Sequence, residues 1–246
     1  MALGAPSGVA GTDRPDRGCS RAPGLGISLR MVLPTVNRFR TRRGRLLAAQ
    51  IAALAAGLGR EITVLDVGGR AEYWGNLDLA GIARIHVMNL EAQELGRPPP
   101  GARADLFVTE VGDARALDGW ADGSVDLVHS NSVIEHVGAW PDMAAMAAEL
   151  RRVGRAGWVQ TPAWEFPIEP HFRAPFLHWF GQPLRRRMLW LSRHYRGADL
   201  AERRRHIDRI NLLSKAEVAA LFPGCEIWVE RVVLAKSYVA RWMPED

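Results

Sequence analysis

Five short apolar runs, each ending near glycine or a small polar residue, dominate residues 62–162. Ile62–Val67 is followed by Ile85–Leu90, Leu106–Val111, Val125–His129 and Gly157–Gln160, the last stopped by Thr161-Pro162. Runs of this length between turn-forming residues read as buried strands. Between the fourth and fifth, Pro141–Arg152 has helical spacing, with Met143, Met146, Ala147 and Leu150 on one side. Strands separated by helical stretches specify an α/β fold with a doubly wound, mostly parallel sheet.

A chain of 246 residues, 48% hydrophobic, suits one such domain with a full core and an insertion. Residues 1–30 are rich in Gly, Pro, Ser, Ala and Arg without periodicity and read as a disordered tail. Met31 opens a better-patterned stretch, which points to Met31 as the true start and to a domain over 31–246. Residues 38–58 read as a basic helix with an apolar face, ended by Gly59. Residues 163–210 break the rhythm with prolines, aromatics and the arginine triplets Arg185–Arg187 and Arg203–Arg205, and read as a lid or substrate insertion. Ser214 with Glu217 three residues on is a capping box for a helix over 214–222. Glu226–Leu234 and Ser237–Trp242 read as a closing pair of strands.

Of 32 basic residues only Lys215 and Lys236 are lysines, which reads as the bias of a GC-rich genome. The net charge of +5 permits contact with nucleic acid or an anionic membrane without requiring it. Cys19 and Cys225 suggest neither a disulfide framework nor a metal knuckle. No apolar run reaches the ~18 residues of a membrane span, and residues 1–30 lack the apolar stretch of a secretory signal, so the chain reads as cytoplasmic.

The stretch VLDVGGR (64–70) places Asp66 before Gly68-Gly69 at a strand end. In open α/β sheets ligands bind beyond the carboxyl ends of the strands, and glycine there admits a ligand against bare backbone. The run is neither G-x-G-x-x-G, since Arg70 stands where a spaced glycine belongs, nor a P-loop, so a pyrophosphate cradle is disfavoured. The other strand ends carry Asn89 and Glu91, Gly112-Asp113-Ala114, and Ser130-Asn131-Ser132. Polar groups at four successive ends would line one crevice.

With VGDARAL (111–117), DGSVDLVHSNSVIEHV (122–137), AAELRRVGRAGWVQTP (147–162) and LSKAEVAALFPG (213–224), the chain resembles class I S-adenosylmethionine-dependent methyltransferases of the type 11-like group. The resemblance covers roughly residues 45–162 and 212–242. It implies a Rossmann-like, seven-stranded sheet with the last strand antiparallel, and S-adenosylmethionine as cofactor. It implies that Asp66, Gly68 and Gly69 border the methionine part of the cofactor. Asn89 and Leu90 would meet the ribose, Asp113 and Ala114 the adenine, and Ser130 and Asn131 the sulfonium end. The chain departs from the family at Asn89, where an acidic residue is usual, and at Gly68-Gly69-Arg70, where Gly-x-Gly is frequent. An amide still bonds a diol, without the strength of a carboxylate.

Methyl transfer from a sulfonium needs positioning, which supplies ~7–11 kcal/mol. A hydroxyl acceptor also gains ~10²–10⁴-fold from a base. The base candidates are His136 in IEHV, and Glu169 with His171 in FPIEPHF (166–172), held by flanking prolines. Glu165 and His178 are weaker ones. The absence of a metal-ligand cluster argues against a metal. The acceptor reads as a small or lipid-linked molecule methylated on oxygen. Phe176, Trp179 and Phe180 beside Arg185–Arg187 offer membrane-surface contact over 176–192. Nucleic acid is disfavoured. The competing readings are a protein that keeps the fold without turnover, and a membrane- or nucleic-acid-associated protein working through its insertion.

Overall fold

The computed structural model describes residues 34–103, 105–168, 175–189, 195 and 197–244. The tail over 1–30 therefore lies outside the described residues, as do Glu169, His171 and Trp190.

The first described element is helix α1 (Pro34–Leu58), longer at its start than the apolar periodicity indicates. Proline at the first helical position has no amide hydrogen to leave unsatisfied, and Gly59 ends the helix at φ 63°. Strands β1 (Ile62–Val67), β2 (Ile82–Asn89), β3 (Phe107–Val111) and β4 (Val125–Asn131) follow. Helix α2 (Trp140–Val153) leads into β5 (Gly154–Pro162). Helices α3 (Gln182–Met188) and α4 (Leu200–Asp208) belong to the segment after β5. Helix α5 (Lys215–Leu221) carries the Ser214–Glu217 capping box and precedes β6 (Glu226–Arg231) and β7 (Ala235–Trp242).

The seven strands form one sheet in the order β3-β2-β1-β4-β5-β7-β6. β7 is antiparallel to both its neighbours, and the pairings from β3 to β5 are parallel. β5 runs past the expected stop at Thr161-Pro162, because β7 continues alongside it. Pro162 opposes Ser237, and the next ladder bond, from Ala163 N to Lys236 O, does not need the proline nitrogen. Proline is tolerated at such a strand terminus. β2 starts three residues earlier than its apolar run, since Ile82 pairs with Ile62 across a register shift in β1.

Side chains of β1 alternate between two cores. Leu65 and Val67 pack with α2 and α5; Ile62 and Val64 pack with α1 and Trp74. α1 is tied to the sheet by Gln50, whose amide donates to the carbonyls of Gly157 (3.2 Å) and Trp242 (3.1 Å). A third small core, of Leu177, Leu189, Tyr195, Ile207 and Ile210, belongs to the segment after β5. No described helix is long and apolar enough to cross a membrane.

Candidate functional site

The register of β1 against β4 sets Asp66 opposite His129, both toward the α1 face. Asp66 is completely buried. Its carboxylate accepts from the Trp74 indole at 2.8 Å and meets His129 Nδ1 at 2.7 Å. A buried carboxylate needs such partners, and here they hold it rigidly. Gly69 has no room for a side chain, because a Cβ would lie 1.9 Å from the Asp66 carboxylate. Gly68 takes φ 72°, a left-handed value that glycine adopts without strain. The double glycine is thus explained from below: the loop lies directly on the pinned acid.

Asn89 at the end of β2 braces the loop from the side. Its amide donates to Gly69 O at 3.0 Å, and its carbonyl accepts from Leu90 N at 2.9 Å. One N–H and one lone pair remain for a ligand. Glu91 is engaged by Gln93. Arg70, in the place of the spaced glycine, is drawn off the loop by ion pairs to Glu94 and to Glu72. Asp113 after β3 receives Arg115 at 2.7 Å, and Arg115 also reaches Asp142 in the first turn of α2 at 2.9 Å. The guanidinium holds the Asp113 carboxyl below its ordinary range. The backbone amide and guanidinium of Arg115 together occupy both Asp113 oxygens, so a ligand amino group there would displace or share one of these bonds. Leu90 and Val111 beside these groups are left 63% and 60% exposed, an apolar surface at the strand ends. Ala114 packs against the core next to them. Ser130 is buried and donates to Val67 O at 2.9 Å, fastening β4 to β1.

Between α1, the glycine loop and the ends of β4 and β5 lies a cavity of about 960 Å³. Asn131 lines it; the other residues expected to hold cofactor do not. Ser132, also in its lining, adopts φ 58°, and is held by Gln160 through a backbone bond of 2.9 Å and a side-chain bond of 3.0 Å. Such a conformation in a non-glycine residue costs on the order of 1–3 kcal/mol and gathers at working sites. Of this wall, Ser132 is visible in the strand-end run Ser130-Asn131-Ser132 and Tyr73 as an aromatic after the glycine turn, where packing is the simpler sequence reading; Gln160, closing the fifth apolar run, carries no such signal. Desolvation first, then the Asp66 charge, pushes the Tyr73 hydroxyl up to about 12.

His136 stands apart from this cavity, 3.3 Å from the Arg209 carbonyl and 3.9 Å from buried Glu135. Glu169 and His171 lie outside the described residues; Ile168, just before them, lines the cavity. Glu165 accepts from the Tyr238 hydroxyl at 2.5 Å, and His178 is buried against the Trp164 carbonyl at 2.9 Å. The arginine triplets are largely occupied within the insertion: Arg186 and Arg204 converge on Asp208, and Arg185 and Arg203 donate to backbone carbonyls. No acidic or histidine cluster among the described residues has the form of a metal site.

Residues 54–158, from the last turn of α1 into β5, match the family described as "Methyltransferase domain". That stretch contains the glycine loop, Asn89, Asp113 and the end of β4. Over this stretch the chain carries a methyltransferase domain. A protein from Bordetella parapertussis, described as a possible exported protein, shares the fold: TM-score 0.54, 15% identity, 85% of this chain and 68% of that one. Two further solved structures resemble the chain at lower scores. The S-adenosylmethionine-dependent methyltransferase from Aquifex aeolicus has TM-score 0.41, 13% identity and coverage of 74% and 83%. Magnesium protoporphyrin IX methyltransferase from Synechocystis PCC 6803, with bound S-adenosylhomocysteine, has TM-score 0.44, 12% identity and coverage of 85% and 87%. No curated protein matches the sequence.

The methyltransferase's strand ends fit the cofactor. Bare backbone at Gly68-Gly69, the spare amide groups of Asn89, and exposed Leu90 and Val111 offer the mixed polar and apolar contacts a nucleoside requires. Bound there, the cofactor would supply an activated methyl group. The chain's own contribution is to hold the loop rigid through Asp66 and to present the β4 end to the cavity.

Proposed function

We propose that this methyltransferase acts on an oxygen atom of a small or lipid-linked acceptor held in the 960 Å³ cavity. The observation that carries this reading is the shared wall. Arg70 of the glycine loop and Asn131-Ser132 at the end of β4 line the cavity, so an acceptor in it lies next to the expected sulfonium end. Neutral Asn131, Ser132, Gln160 and Tyr73 suit the orientation of a hydroxyl. For the base, Glu169 and His171 are favoured over His136 by sequence proximity to Ile168.

A lipid-linked acceptor has one specific observation behind it. Trp164, Phe176, Trp179 and Phe180 are each at least two-fifths exposed, and Trp179 meets Phe176 and Trp164 with ring centroids 5.0 and 6.2 Å apart. Membrane-surface contact over 176–192 belongs to this reading, and co-sedimentation with anionic vesicles checks it.

The test is transfer from methyl-labelled S-adenosylmethionine to separated metabolite and lipid extracts, with the labelled carbon located by NMR. A label on oxygen supports the reading. A label on nitrogen or carbon contradicts the oxygen assignment. Cofactor binding with no transfer to any fraction favours the fold without turnover.

A further inference from the structure

The α1–β7 end of the cavity holds more positive charge than its carboxylates balance. Glu230 at the end of β6 is fully buried, and its carboxylate receives Arg43 of α1 and the Ser237 hydroxyl (3.0 Å), with Lys236 Nζ at 3.7 Å. Arg43 and Lys236 both line the cavity and are themselves 14% and 22% exposed. Arg40, one helical turn before Arg43, lines the same end and has no ion-pair partner among the described residues. Three cations therefore face one carboxylate. The other charged lining residues are Arg45, Arg70, Glu72 and Asp78; Arg70 lies 3.8 Å from Glu72, and Glu72 and Asp78 also accept from the Arg97 (2.8 Å) and Ala80 (3.0 Å) amides, so cations outnumber acids around the cavity.

Lys236 is fixed where it stands. Its ammonium lies 3.8 Å from the centre of the Phe39 ring, and its strand is paired to β5 and β6. Burial first, with Arg43 and Arg40 also lowering it against the pull of Glu230, holds Lys236 below the ordinary lysine value. Crowding like charges in a half-desolvated recess is unfavourable until an anion enters it. Leu77, Pro162, Phe166 and Ile168 give the cavity an apolar stretch among its polar lining. Across β4, β5 and β7 the strand spacing puts the cationic end about 10 Å from the β4 end.

We propose that the acceptor carries a carboxylate or phosphate on an apolar body. Arg40, Arg43 and Lys236 grip that anion as an anchor, and the methyl-receiving atom is placed toward Asn131 and Ser132. The direction of the acceptor rests on the methyltransferase reading; the anion site rests on the charge and shape of the cavity.

The test titrates the full chain, saturated with S-adenosylhomocysteine, with octanoate, octyl phosphate, 1-octanol and inorganic phosphate. Both amphiphilic anions are expected to bind, with octanol and inorganic phosphate each roughly tenfold weaker or worse. Arg40→Gln, at an exposed helix position, and Lys236→Met are each expected to weaken both anions roughly tenfold while cofactor-product affinity stays unchanged. Octanol binding as well as octanoate, inorganic phosphate binding as well as octyl phosphate, no anion binding, or anion affinity unmoved in both variants would each overturn the proposal. If a separate titration shows no S-adenosylhomocysteine binding while the chain alone binds octanoate, the anion site stands and the methyltransferase reading falls.

Discussion

Asp66 does its work beneath the glycine loop. Its oxygens are held by Trp74 and His129, so the carboxylate cannot swing away from an added Gly69 side chain 1.9 Å distant. Gly69→Ala is therefore expected to abolish S-adenosylhomocysteine binding, read by calorimetric titration; retained affinity would show that the loop is not seated on the acid. Asn89 leads to a prediction opposite to family pattern. Restoring an acid with Asn89→Asp removes the donor to Gly69 O and sets a carboxylate against that carbonyl. Cofactor affinity is expected to fall by about 1–3 kcal/mol, not rise. Tyr73 gives a pH signature. Its folded pKa of about 12 exceeds the ordinary value of 10.0, so the folded state keeps a proton that the unfolded state loses. Tyr73's contribution is fully present below pH 10 and is lost as pH rises toward about 12. Alkaline unfolding of Tyr73→Phe is expected to be less steep than that of the wild type over this window; an identical slope would contradict it.

Among the elements, α1 and the β6–β7 pair depend on each other through Glu230. Removing one partner from a buried ion cluster leaves the others uncompensated, whereas an exposed pair is worth little. Glu230→Gln is expected to lower stability by about 3–5 kcal/mol in urea unfolding. Asp105→Asn, which breaks only a 3.7 Å pair with exposed Arg103, is expected to cost less than about 1 kcal/mol. Equal effects would refute the assignment of Glu230 as the keystone of that corner. The parallel strands and α2 were legible because their periodicity is local. The extension of β5 through Thr161-Pro162 was not, since it follows from β7, which lies about 75 residues later. The basic helix was legible as a helix, but its arginines became cavity walls only once Lys236 and Glu230 met them.

At the scale of the whole molecule, sheet order and cofactor chemistry were written in short motifs that share one edge of the sheet. The acceptor side was not. It is assembled from α1, β4, β5 and β7, and no single stretch spells it. Asn131 alone of the expected cofactor residues lies on its wall. His136 turned out beside Arg209, because the α3–α4 segment returns next to the turn that follows β4. The central claim is that the ends of β1 to β3 hold S-adenosylmethionine. Calorimetric titration of the full chain with S-adenosylmethionine and S-adenosylhomocysteine, with Gly69→Ala and Asp113→Ala alongside, tests it most directly. Single-site binding in the micromolar range, lost in Gly69→Ala and weakened in Asp113→Ala, is the predicted result. No heat at millimolar cofactor, or equal binding by all three proteins, would contradict it.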